Sequence, residues 1–499
     1  MKHFLFFLLL LVSAYIPVCA QSLRLPVTFS DHMVLQRNRP LTFTGEAPAQ
    51  KRVKLTLNSK IFTTVSDDKG RFVFQLPAFA AGGPYTMELV CENERKTFHD
   101  VYIGEVWLCS GQSNMQFALE DCSTATEDLA AADTLDRIHL YNIGAAFIPF
   151  REIWGKERIE TVDRGGYISF GSWQKCSAAT ARRFSAIGFH VGRILAQRLG
   201  CHIGLIANAL DGCTTEGWID RRTLEDNVPE ILQGHWTDNT NIMSWSRRRA
   251  RYNLQQTDIG QHRHPYEPTY LYDAAIRPLE AYPLRGVLWY QGESNAELVD
   301  MHCRLFTALE RSWRQTWNDP QLPFYTVQIA SLDSRPTWPA FRDSQRRLAD
   351  SLQYTYMTVS HDMGEADNIH PTRKRTIGER LAASVLHHSY DFDRVTPCGP
   401  SPQRAFVSGP HELCIVFDQA EGLHFGAGSG AADFEVGGAD GYFTACTSYR
   451  TEGNRLLLTF SSQISAPQRV RFAYRDCSVA QLLNAASLPC STFMLDIEP

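Results

Sequence analysis

Three short clusters carry the residue types that acyl transfer needs: a serine, a histidine and an amide-bearing asparagine. The first is Gly104-Glu105-Val106-Trp107-Leu108-Cys109-Ser110-Gly111-Gln112-Ser113-Asn114-Met115. A serine leaving a buried strand at a helix N-terminus turns its hydroxyl to the cleft. Its own backbone N–H then points at an oxyanion forming there. Serines in such places are more often plain N-caps, so this block alone leaves both readings open. Gln112 and Asn114 beside it set it apart from the G-x-S-x-G elbow of the common hydrolases. The second cluster, Trp289-Tyr290-Gln291-Gly292-Glu293-Ser294-Asn295, closes the apolar run Gly286 to Tyr290. A tight turn there holds an amide donor of the kind that stabilises a tetrahedral oxygen. The plainer alternatives are a turn residue at Asn295 and a solvated charge at Glu293. The third cluster, Asp367-Asn368-Ile369-His370-Pro371, precedes a helical stretch from Thr372 to His387. An imidazole there acts as general base once a carboxylate or carbonyl orients it. Taken singly, a histidine ahead of a proline is commonly a loop residue.

The elements that must position these clusters fall into three regions. From about Ser22 to Asp100 the chain reads as short strands, with period-two alternation in Val53–Leu57 and Arg71–Leu76 and a further strand from Tyr85 to Val90. From Val101 the rhythm changes. Apolar runs at Val106–Leu108, Ile203–Ala207, Gly286–Tyr290, Phe324–Ile329 and Thr355–Val359 alternate with amphipathic stretches such as Ala186–Leu199, Arg304–Trp317 and Phe341–Leu352. Continuous apolar strands separated by helices predict a parallel sheet covered on both faces. Ligands bind such sheets at the carboxyl ends of the strands, where the three clusters lie. The polar stretch near 227–267 is an excursion from the sheet, either close to the functional edge or a surface loop. After Tyr390 the β pattern returns, with alternating strands at Leu456–Phe460 and Arg469–Tyr474. The expected division is therefore 21–100, 101–390 and 391–499, with residues 1–20 ahead of it as a leader.

That leader has a charged start (Lys2, His3), an apolar run from Phe4 to Val12 and a small-residue cleavage site at Val18-Cys19-Ala20. It is too short to span a bilayer and implies export to the periplasm or beyond. The net charge is −5 and no long basic run occurs, which argues against nucleic acid or a membrane as partner. The cysteines outside the leader are scattered without a CxxC pair, so they are buried thiols or a few disulfides rather than a zinc site. His262, His264, His387 and His388 lack the company of a metal site, and Trp107, Trp173 and Trp218 are packing anchors before they are cleft walls. Oligomeric state is not legible.

Taken together and in this order, Gly-Gln-Ser-Asn-Met, Trp-Tyr-Gln-Gly-Glu-Ser-Asn and Ile-His-Pro resemble the SGNH hydrolases, specifically the sialate O-acetylesterase family. The resemblance extends to Phe29–Gln36 near the start, to Ile203–Ile206 with Glu216-Gly217-Trp218, and to Asn484–Pro489 near the end. It implies an α/β fold: a flavodoxin-like SGNH hydrolase domain, its parallel sheet covered by helices, flanked by N- and C-terminal β-sandwich domains. It implies Ser113 as nucleophile and His370 as base, with an oxyanion hole from the backbone N–H groups of Ser113 and Gly212 and the Asn295 side chain. Gln112, Gln291 and Glu293 border these groups and are expected to contact substrate. The general SGNH pattern puts the orienting acid on Asp367. Family members often carry it two residues before the histidine, where this chain has Asn368, so a backbone carbonyl is the other candidate. Asp211 stands where the family usually has glycine and is expected to serve the turn.

The implied activity is carboxylic ester hydrolysis that removes O-acetyl groups from sugars, 9-O-acetylated sialic acid first, with no metal or organic cofactor. Arg182, Arg183 and Arg248 are candidate partners for a sialate carboxylate. Acetylxylan or another polysaccharide is the near alternative, and a noncatalytic glycan-binding protein is the alternative of another class.

Overall fold

The computed structural model describes residues 22–464 and 466–498; the expected leader lies outside them. The fold is mixed α/β with several sheets. At its centre strand β1 (Glu94–Gly111) is joined by β2 (Ile138–Ala145), β3 (Ile203–Ala209), β4 (Gly286–Tyr290), β5 (Phe324–Val327) and β6 (Thr355–Thr358). Their order across the sheet is β2-β3-β1-β4-β5-β6, and each neighbouring pair is parallel. The apolar runs are continuous because both faces are dry: Val106 and Leu108 enter one core, Trp107 and Cys109 the other. In β4 the same alternation sends Val287 and Trp289 one way, Leu288 and Tyr290 the other.

Six helices matter to the site: α1 (Ser113–Gln116), α2 (Ala186–Leu199), α3 (Ser244–Asn253), α4 (Val299–Thr316), α5 (Trp338–Ser351) and α6 (Lys374–Tyr390). Helix α2 starts where the Ser185 hydroxyl accepts the Gly188 N–H at 3.1 Å, satisfying one of the orphan donors of the first turn. With α6 it buries Ile187, Val191, Leu195, Ile377, Leu381 and Val385 against one face of the sheet. Helix α4 lays Leu305, Leu309 and Trp313 on the other.

The N-terminal strands Arg52–Leu57, Lys60–Val65 and Gly82–Cys91 form an antiparallel sheet that pairs with the first half of β1. The strand therefore runs unbroken through residue 100, where the change of sequence rhythm suggested a boundary, and joins that sheet to the central one. The C-terminal region builds a third core around Leu413, Ile415, Leu458, Phe472 and Phe493. Its last segments return to the central sheet. Arg342 of α5, fully buried, donates to Thr492 Oγ1 at 3.0 Å. Asp362 takes both guanidinium nitrogens of Arg380 at 2.7 Å and Gln481 Nε2 at 3.0 Å. These contacts fix the chain just ahead of the His370 loop. All twelve cysteines of the described residues are free thiols, eight of them buried. No helix among the described residues is long and apolar enough to cross a membrane.

At the end of β1 the chain bends at Gly111, with φ +131°. A Cβ there would sit 2.1 Å from the Tyr290 carbonyl oxygen of β4. Both the left-handed backbone and the close strand approach demand glycine. Gly111→Ala is expected to destabilise the fold by about 2 kcal/mol or more, seen as a lower midpoint in urea unfolding. An unchanged midpoint would contradict this account of the bend.

Candidate active site

Immediately after Gly111 the chain starts α1, whose first residue is Ser113. The turn is pinned to the neighbouring strand end: Gln112 N–H donates to Tyr290 O at 2.9 Å. The Gln112 side chain continues the stitch, its Oε1 accepting the Gly292 and Ser294 N–H groups at 3.3 Å each. Gln112 thus lines the cleft while bracing the turn that follows β4. Ser113 Oγ lies 2.8 Å from His370 Nε2, a bond between groups separated by 257 residues of chain. The backbone N–H groups of Ser113 and Gly212 bond to no described residue, as befits donors at a helix start and a turn. Gly212 has φ +66°, and a Cβ there would press on Tyr266 Oη at 2.7 Å and Trp245 at 3.0 Å. Only glycine lets the backbone come so near the two rings that wall the cleft.

Burial lowers the His370 pKa from its ordinary value; the Asp211 carboxylate opposes this and the Lys374 cation adds to it. The imidazole is therefore held in the neutral form a general base requires.

The acid expected at Asp367 does not reach His370. The Asn368 N–H closes a turn onto Glu365 O at 3.3 Å, so Ala366 and Asp367 sit at the exposed tip. Asn368 is the residue that shapes this loop. Its Oδ1 accepts the His370 N–H at 2.9 Å and its Nδ2 donates to the His370 carbonyl at 3.0 Å and to Glu365 at 2.8 Å. Asp211, expected as a turn residue, does occupy a turn and also lines the cleft beside His370.

The expectation for Gln291 needs correction. Gln291 is buried away from the cleft: its Nε2 donates to Asn295 Oδ1 at 2.7 Å and its Oε1 accepts from Thr215 Oγ1 at 2.8 Å. It supports Asn295 and is not in position to touch substrate. Asn295 itself is buried, its Oδ1 also receiving Thr215 N–H at 3.0 Å and its Nδ2 donating to Glu216 at 3.1 Å. Two N–H donors on the oxygen fix which end of the amide is nitrogen, and one Nδ2 hydrogen remains uncommitted. Glu293 does line the cleft, with its Oε1 taken by Asn114 at 2.6 Å.

The cleft, of about 390 Å³, is walled further by Trp245, Arg249 and Tyr266 from the excursion and by Arg335 and Trp338. Sequence reasoning singled out Arg182, Arg183 and Arg248. The first two lie by Glu120 and the last is exposed elsewhere on α3. Trp107, Trp173 and Trp218 are all buried in the cores.

A family model described as carbohydrate esterase, sialic acid-specific acetylesterase matches residues 239–387. The sialate O-acetylesterase of Mus musculus is 27% identical over 406 residues, 73% of this chain and 72% of its own. That of Rattus norvegicus is 27% identical over 438 residues, covering 78% of each. The crystal structure of a carbohydrate acetylesterase from Xanthomonas citri superimposes with a TM-score of 0.78 at 28% identity, over 95% of this chain and the whole of that one. The family model takes in the loop that carries His370, and the chain is similar to sialate O-acetylesterases and to a carbohydrate acetylesterase over most of its length.

Proposed function

We propose that this protein is a serine esterase that removes O-acetyl groups from sugars, with Ser113 as nucleophile and His370 as base. The observation that carries the reading is the 2.8 Å contact between Ser113 Oγ and His370 Nε2 at the floor of an open cleft. His370 takes the serine proton as the oxygen attacks the acetyl carbonyl. The backbone N–H groups of Ser113 and Gly212, joined by the free Nδ2 hydrogen of Asn295, receive the negative charge that develops on the carbonyl oxygen. The protonated imidazole then gives its proton to the departing sugar oxygen. Water, activated by the same imidazole, releases acetate from the acyl-enzyme. We further infer that the central sheet is the flavodoxin-like frame of an SGNH hydrolase flanked by β-sandwiches, and that the protein acts after export.

Within acetylated sugars, 9-O-acetylated sialic acid is the substrate we favour. Arg249 and Arg335 face the cleft and offer guanidinium groups to a sugar carboxylate, which a neutral acetylxylan lacks. Arg249→Ala and Arg335→Ala are expected to raise KM for 9-O-acetylsialate by about 10-fold while hardly altering KM for p-nitrophenyl acetate. Equal effects on acetylxylan oligomers would point to a neutral glycan instead.

Ser113→Ala is expected to abolish hydrolysis of p-nitrophenyl acetate in a protein that stays folded; near wild-type turnover would refute the esterase reading. Activity should rise with pH as His370 loses its proton, with an inflection below the ordinary histidine range. Asp211→Asn removes the charge that favours the imidazolium, so its acid limb in kcat/KM should move to still lower pH. A limb that stays put or moves up excludes Asp211 as the carboxylate acting on His370. Asp367→Ala should keep activity within about 3-fold of wild type, because that side chain is exposed at the turn tip.

A further inference from the structure

Beneath the serine lies a buried polar cluster that the mechanism above does not use. Asn114, the residue after the nucleophile, is 1% exposed, and Lys374, at the start of α6, is fully buried. Lys374 Nζ donates to Asn114 Oδ1 at 2.5 Å. Asn114 Nδ2 donates in two directions, to Glu293 Oε1 at 2.6 Å and to the Ile369 carbonyl at 3.0 Å. One carboxamide therefore grips all three strand-end loops: its own after β1, the turn after β4 through Glu293, and the His370 loop through the carbonyl of the residue before the histidine.

The chemistry fixes its orientation. An amine Nζ offers hydrogens toward Asn114, and the Ile369 carbonyl can only accept, so the amide oxygen must face Lys374 and its nitrogen must face the other two. A flipped amide would set acceptor against acceptor at Ile369. The need for such a grip is local. Helix α1 has four residues and no side-chain cap, far too few to hold its own geometry. Lys374 in turn is seated by rings, its Nζ lying 4.7 Å from the Phe117 centroid and 5.7 Å from that of Tyr290. Burial pushes its pKa down to about 7, the Glu293 carboxylate opposing.

We infer that Asn114, oriented by Lys374 and held by Glu293, is the positioning residue that sets Ser113 Oγ in register with His370 Nε2. The inference rests on the serine esterase reading. It assigns no contact with substrate to Asn114, and it gives Glu293 a task distinct from substrate binding. A misplacement of about 1 Å between reacting groups costs about 10²-fold in rate, so loss of the grip should appear in kcat and leave KM nearly alone.

The test uses the full chain with p-nitrophenyl acetate. Asn114→Leu, with the same branched heavy-atom skeleton but without the amide, is expected to lower kcat about 10²-fold with KM within about 3-fold of wild type. Glu293→Leu should do the same, whereas Glu293→Gln, which keeps an oxygen to accept from Asn114, should retain kcat within about 3-fold. Urea midpoints report whether each variant is folded. If Asn114→Leu does not fold, Asn114→Ser, which leaves space rather than apolar bulk, is judged by the same kcat criterion. A wild-type kcat in a folded Asn114 variant overturns the inference, as does a rise in KM alone or a Glu293→Gln as damaged as Glu293→Leu. Ser113→Ala separates the two claims. Inactive Ser113→Ala beside active Asn114→Leu defeats only the positioning role, and active Ser113→Ala defeats the esterase reading itself.

Discussion

The hydrogen bond between Ser113 and His370 joins atoms that are adjacent in space and 257 residues apart in sequence, and the parallel sheet makes that meeting possible. Parallel strands all release their chains at the same edge, so the loops after β1, β3, β4 and β6 gather there whatever their order in the sequence. The cost is that each loop starts from a different strand and must be aligned by contacts outside the sheet. Those contacts are visible at every join. Gln112 stitches the β1 end to the turn after β4, Cys213 meets the Gly111 carbonyl at 3.2 Å from the β3 side, and the Asn368 turn shapes the His370 loop.

How much of this the sequence made legible depends on the kind of constraint involved. The central strands were legible because burial on both faces leaves an uninterrupted apolar run, and helix α2 because its apolar face is long. The clusters of Ser113 and His370 stood out at strand ends, but their expected roles came from the family resemblance, and the fold brings the two side chains to 2.8 Å. The failures have local causes. Asp367 was expected from the SGNH resemblance, but a four-residue turn closing at Asn368 leaves it exposed at the tip. Gln291 stands beside chemically active neighbours, yet it turns into the protein, where Thr215 and Asn295 satisfy it. Position in a motif does not say which way a side chain points.

The cleft arginines show the same limit from the other side. Arg248 and Arg249 are indistinguishable by type, but on a helix only one can share a face with Trp245. Residues four apart lie on one side, so Trp245 and Arg249 both meet the cleft while Arg248 faces elsewhere. That periodicity was available in the sequence. What was missing was any sign that the excursion folds back over the strand ends, a tertiary fact that rests on rings such as Tyr266 packing beside Gly212.

Electrostatics tie these observations into one argument. The floor of the site is buried, and burial pushes the Glu293 and Glu216 carboxyls up, the Lys374 amine down and the His370 imidazole down. Each shift favours the neutral form, because an ion without full hydrogen bonding is expensive in such surroundings. A neutral imidazole is ready to accept the serine proton. A carboxyl at Glu216 kept from ionising would add no negative charge beneath the Asn295 amide, where the oxyanion is proposed to form. In water the same groups would ionise, reorient and screen one another. Enclosed, they present fixed dipoles whose direction is set by which atoms can only donate and which can only accept. The rigid amides of Asn114 and Asn295 are therefore suited to this position in a way that charged side chains are not: each carries a donor and an acceptor in fixed relation and needs no counter-ion. Replacing either by aspartate would place a second carboxylate beside Glu293 or Glu216 and remove the donor that the neighbouring acceptor already uses.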